Sequence, residues 1–176
     1  MDDIDAKERH DVEHHDECNN WSDRALASGW KTTVKVFADP GNPIDWKLES
    51  SLKGHDDYLI FDKTKDNMPK RDYYLIEFDL VDRTDLNLKF QPNPVHAFWV
   101  AMGDQYDPPE CPQTAAYSPT IYAICDDPGG KSLTVRNDDL TKQYFRFSLG
   151  FVGDPDGREY RYDPVGDNQD GGLKAY

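Results

Sequence analysis

The sequence predicts an all-β protein, an antiparallel β-sandwich of Ig-like or jelly-roll-like type with about nine strands. Three observations carry the prediction. From residue 31 onward, apolar residues recur with period two, the signature of strands with one buried and one wet face. The gaps between these runs are crowded with Pro, Gly, Asn and Asp. Only one short stretch, 23–28, carries a helix start and stop, Ser22 before it and Gly29 after it. A barrel is the rival architecture. The immunoglobulin Cys…Trp…Cys spacing is absent, so an Ig-like label rests on strand number alone.

Residues 1–29 stand apart as an acidic tail with a short helix. The first 20 residues hold eight acids against two bases, and their larger apolar side chains are Met1, Ile4 and Val12. Such a stretch buries too little surface to offset its ordering entropy. Trp21 and Trp30 flank the helix and are expected to dock it on the body.

The sandwich domain spans 30–168. Its strands are expected at 32–37, 44–48, 57–61, 74–80, 86–90, 95–101, 120–125, 132–136, 144–151 and 158–163. The clearest sets Phe145, Phe147, Leu149 and Phe151 against Tyr144, Arg146, Ser148 and Gly150. Asp127-Pro128-Gly129-Gly130 and Asp154-Pro155-Asp156-Gly157 read as tight turns, with Asn137-Asp138-Asp139 a third. Residues 120–163 therefore read as a four-strand meander. The span 102–119, with Pro108, Pro109, Pro112 and Pro119, reads as one long loop, of a length often tied to function. Residues 169–176 read as a flexible C-terminal tail.

The C-terminal half carries a Trp strand (Trp99), Cys111-Pro112, Leu133-Thr134-Val135-Arg136-Asn137, the aromatic strand Tyr144 to Phe151, and Asp163-Pro164. In these motifs residues 95–168 resemble small bacterial β-sandwich proteins of no assigned function. The resemblance implies the fold and carries over no catalytic residue.

Charge narrows the partners. With 34 acids against 20 bases the net charge is −14. That argues against a nucleic-acid backbone or an anionic membrane surface as a direct partner. No apolar stretch approaches the ~20 residues of a membrane-spanning helix. The chain opens Met-Asp-Asp-Ile-Asp, without the basic and apolar regions of a secretory signal, so the expected compartment is the cytoplasm. Cys18, Cys111 and Cys125 make an odd count, which fits reduced thiols, though Cys111 and Cys125 would pair if the fold brought them together.

Several motifs bear on chemistry. His10-Asp11-Val12-Glu13-His14 matches the inverted zincin string, in which two His one helical turn apart hold zinc and the Glu activates water. A catalytic zinc also needs a third ligand and a dry cleft, and a polar tail offers neither. Adventitious metal binding by His10, His14, His15 and Cys18 competes with a plain solvated tail. Asp154, Asp156, Asp163, Asp167 and Asp170 crowd 17 residues, which raises calcium as a cofactor. No EF-hand or nonapeptide pattern supports it, and Asp also favours turns for its own hydrogen bonding. Asp56-Asp57, Asp126-Asp127 and Asp138-Asp139 read as solvated strand ends rather than glycosidase carboxylates. There is no Gly-x-Ser-x-Gly, P-loop or dinucleotide fingerprint, and His55 and His96 are isolated.

Five aromatics are candidate binding anchors. Tyr73, Trp99 and Tyr144 alternate onto the face opposite their strand's apolar set, while Tyr106 and Tyr117 sit in the long loop. They either meet a partner or lie beneath cover on the outer sheet faces. The sequence thus points to a non-catalytic protein-interaction module with a protein partner. Two other readings stay open, an acidic nucleic-acid mimic that inhibits a basic protein and a calcium-dependent binding module.

Overall fold

The computed structural model describes residues 31–52, 57–69, 72–104 and 107–169. The tail, its short helix, His10, His14, His15, Cys18, His55, Asp56, Tyr106 and Asp170 lie outside the described residues, as does the side chain of Cys125.

The fold is an all-β sandwich of two packed sheets. Its strands are β1 (Lys31–Asp39), β2 (Asp45–Ser50), β3 (Tyr58–Phe61), β4 (Tyr74–Asp82), β5 (Lys89–Phe90), β6 (Phe98–Met102), β7 (Ile121–Asp126), β8 (Ser132–Asn137), β9 (Gln143–Val152), β10 (Glu159–Tyr162) and β11 (Val165–Asn168). One helical turn, α1 (Pro94–Ala97), precedes β6. The first sheet runs β2-β1-β4-β8-β7. The second runs β10-β9-β11-β3, with β5 and β6 also pairing with β9.

Both sheets are mixed. β1 runs parallel to β4, and β11 runs parallel to β3. Alternation reports which face of a strand is buried and is blind to its neighbour's direction, so a purely antiparallel sandwich was more than period two could specify.

The predicted meander divides. β7 and β8 form one hairpin and β9 and β10 another, but the hairpins lie in different sheets. The chain crosses between the sheets at 138–142, where Asp139 takes φ 45°. The two glycine turns form as expected. Gly130 and Gly157 both sit at φ 69°, and the Asp127 carboxylate accepts the Lys131 N–H at 2.7 Å.

Residues 95–97 are helical rather than extended. Asn93 caps the turn, its side chain accepting the Val95 N–H at 3.0 Å, and Pro94 stands in the first turn. The expected strand at 86–90 shrinks to Lys89–Phe90, because the Asp82 carboxylate binds the Thr84 and Leu88 N–H groups and folds the approach into a turn. β11 forms where the sequence predicts only the end of the domain, pairing with β9 on one side and β3 on the other.

The core lies where period two places it. Val34, Val36 and Ala38 of β1 and Tyr74, Ile76, Phe78 and Leu80 of β4 face Phe145, Phe147, Leu149 and Phe151 of β9. Aromatic pairs bridge the sheets, among them Phe78–Phe147 at 5.7 Å and Trp46–Phe151 at 4.7 Å. Among the described residues, no helix is long and apolar enough to cross a membrane.

Candidate functional site

The last strand of one sheet, β7, and the outlying strand β6 of the other run beside each other, and α1 touches both. A groove opens there. Phe98 and Val100 of β6 and Ile121 of β7 form its floor, and Val95, Tyr117 and Tyr122 stand at its rim. Four large apolar side chains are exposed among the described residues, namely Val95, Tyr117, Tyr122 and Leu140. Three of the four therefore belong to one surface. The cavity is about 60 Å³. A drug-sized ligand needs ~300–1,000 Å³, so the groove admits a side chain rather than a cofactor.

Tyr117 is held although it is 59% exposed. On one side the Val100 N–H donates to Ala116 O at 2.9 Å, which ties the loop to β6. On the other, Thr120 N–H donates to the Ser118 hydroxyl at 3.2 Å. The Ser118 and Thr120 hydroxyls are 3.1 Å apart in the same turn. An anchor fixed in advance loses less entropy on binding.

Trp99 lies beside this groove on the outer face of β6, and its ring is covered. The Arg161 guanidinium sits 3.2 Å from the ring centroid. Arg161 also donates to His96 O at 2.8 Å, and the Trp99 indole N–H donates to Val95 O at 3.1 Å. Burial pulls the Arg161 pKa below its ordinary value, while Glu159, Asp163 and Tyr117 nearby favour its charge. Trp99 and Arg161 thus form a stacked pair beside the groove.

The other candidate anchors are dispersed. Tyr73 is on the outer face of the first sheet, where Arg136 stacks on it at 4.0 Å and Leu75 and Ile124 pack against it. Tyr144 is on the outer face of the second sheet, hydrogen-bonded to Tyr58, which also donates to Asp167 at 3.1 Å. Burial, then Asp167 and Tyr144, push the Tyr58 pKa up. The long loop folds back rather than standing free. Gly103 N–H donates to Tyr144 O at 2.8 Å, and Arg146 approaches the Cys111 sulfur at 3.3 Å. Cys111 is a free, half-buried thiol. Sequence reasoning missed Val95 and Tyr122. The Asn93-Pro94 cap was the available signal for the first, and the exposed face of β7 for the second.

The acidic residues near the C-terminus do not converge. Asp154 and Asp156 lie in the β9–β10 turn, where Asp154 pairs with Lys89 at 3.1 Å and Asp156 accepts the Arg158 N–H at 3.1 Å. Asp163 joins β10 to β11. Asp167 is 4% exposed and sits opposite Tyr144 in the β-ladder, whereas Asp154 lies beyond Val152. At ~3.3 Å per residue the strand from Tyr144 to Val152 alone puts more than ~26 Å between them. Among the described residues, no group of three or more His, Cys, Asp or Glu is placed to hold a metal ion. His96 is exposed on α1.

One pair of acids departs from the solvated strand end expected of it. Asp139 is fully buried, because Leu133, Val135, Asn137 and Asp139 form one inward-facing row and the chain turns into the core at its end.

No protein-family model matches the chain, and no curated protein matches it.

Proposed function

We propose that this protein is a non-catalytic interaction module that docks a protein partner in the groove between β6 and β7. The observation that carries the reading is the convergence of Val95, Tyr117 and Tyr122 on one groove, with Tyr117 tied on both sides. An apolar side chain of the partner fills the cavity and the Tyr117 ring closes over it. The partner is a protein because the cavity is too small for a cofactor and the chain's charge of −14 disfavours nucleic acid. The same proposal places the protein in the bacterial cytoplasm, on the resemblance of residues 95–168 and the odd cysteine count.

The test is affinity capture from the native host with wild type and Tyr117→Ala, eluted in steps of rising salt. A partner that survives high salt on wild type and is lost from Tyr117→Ala supports the groove. A basic, nucleic-acid-handling partner released at moderate salt from both proteins refutes it in favour of the acidic mimic.

A further inference from the structure

Two core-facing rows, one from each sheet, end in opposite charges. In the second sheet the row is Leu59, Phe61 and Lys63, and all three are buried. In the first it is Leu133, Val135, Asn137 and Asp139, again all buried. Lys63 is 1% exposed and Asp139 0%. Their ends meet. The Lys63 ammonium donates to Asp138 O at 2.6 Å and to Asp139 O at 3.3 Å. The amine is thus held against the residue whose two carboxylate oxygens are sealed from solvent.

The surroundings are rigid. Asp139 N–H donates to Asn137 Oδ1 at 2.9 Å, and the Asn137 side chain donates to Asn168 Oδ1 at 2.8 Å. Met68 N–H donates to Lys63 O at 2.8 Å, which fixes the turn carrying the amine. Phe61 packs edge-on to Tyr74 at 5.1 Å, and the Tyr74 hydroxyl donates to Asp66 at 2.6 Å, close enough to Asp139 to feel its charge.

From this juxtaposition we infer that Lys63 and Asp139 join in an intramolecular amide, an isopeptide bond that fastens the turn after β3 to the crossover between β8 and β9. The chemistry balances without an oxidant or cofactor. Burial disfavours both charges, so the ammonium proton passes to the carboxylate and leaves a neutral amine beside a neutral acid. The Lys63 nitrogen attacks Asp139 Cγ and a C–N bond forms. The Cγ–OH bond breaks, and the hydroxyl departs as water with one proton from the nitrogen. Intramolecular partners in near-attack geometry reach effective molarities of ~10⁵–10⁸ M, which favours a condensation that bulk water opposes. The product amide carries no charge into the core.

Intact mass and a peptide map of the full-length chain, denatured, test this. The expected chain is lighter by one water, with the peptides containing residues 63 and 139 covalently joined. Lys63→Met and Asp139→Ala should each restore the sequence mass and run behind wild type on a denaturing gel. The wild-type map decides by itself if either variant fails to fold. Linear peptides at full mass overturn the inference. So does a water lost within one linear peptide, which is a succinimide. A loss of ammonia mapped to Asn137 or Asn168 also overturns the assignment to Asp139.

Discussion

Gly166 shows how one residue decides a strand. It sits in β11 with its α-carbon over the Phe145 ring, and a Cβ there would overlap the ring. Phe145 is itself 2% exposed and packed against Phe61 and Phe147, so it has nowhere to move. Gly166→Ala is expected to destabilise the fold by about 1–3 kcal/mol, read as a lower urea midpoint at unchanged slope. An unchanged midpoint would contradict this packing. The same glycine hid β11 from the sequence, because Val-Gly-Asp-Asn has the composition of a turn. Face assignment was legible at this scale. Alternation put Tyr73, Trp99 and Tyr144 on the outer faces, where they are half-buried. The covers of Tyr73 and Trp99 were not legible, since Arg136 and Arg161 reach them from strands distant in sequence.

At the scale of elements, β4 carries Glu77 and Asp79 on the outer face of the first sheet. Glu77 pairs with Lys31, and Asp79 lies opposite Lys35. The Asp79 pKa is raised, first by burial and then by Glu77, with Lys31 working against them. A carboxyl whose folded pKa exceeds its unfolded value is a liability when ionised. Asp79→Asn should therefore raise the melting temperature slightly at pH 7. That advantage should shrink as the pH falls into the range where Asp79 is protonated. A gain that grows on acidification would have the wrong sign.

β3 makes a second element-scale case. Its partner in the sheet is β11, and β11 alone joins it to β9. Ending the chain before Val165 should therefore abolish cooperative thermal unfolding followed by circular dichroism, whereas ending it after Gln169 should leave it intact. Strand positions were largely readable because each buries one face. Strand lengths failed where side chains seize the backbone, as Asp82 does before β5 and Asn93 before β6.

Across the whole molecule, the sandwich was legible and its wiring was not. Two layers follow from many short one-sided strands. The order β2-β1-β4-β8-β7 and the passage of the chain between sheets at 138–142 depend on pairings that local pattern does not encode. The groove shares that limit, since it exists only because β6 and β7 end up adjacent. Net charge acts at this scale too. At −14 the folded chain repels itself, so its melting temperature should rise from low to physiological salt as the charges are screened. A fall would mean that the ion pairs outweigh the repulsion.

The docking groove is tested most directly by a photo-crosslinking amino acid placed at Tyr117 and, in a separate protein, at Glu49, an exposed site on β2 at the opposite edge of the sheet from β7. Irradiated in the native host, the Tyr117 position should capture one protein that the Glu49 position does not. Equal products at both sites, or none at Tyr117, would contradict a partner seated in the groove.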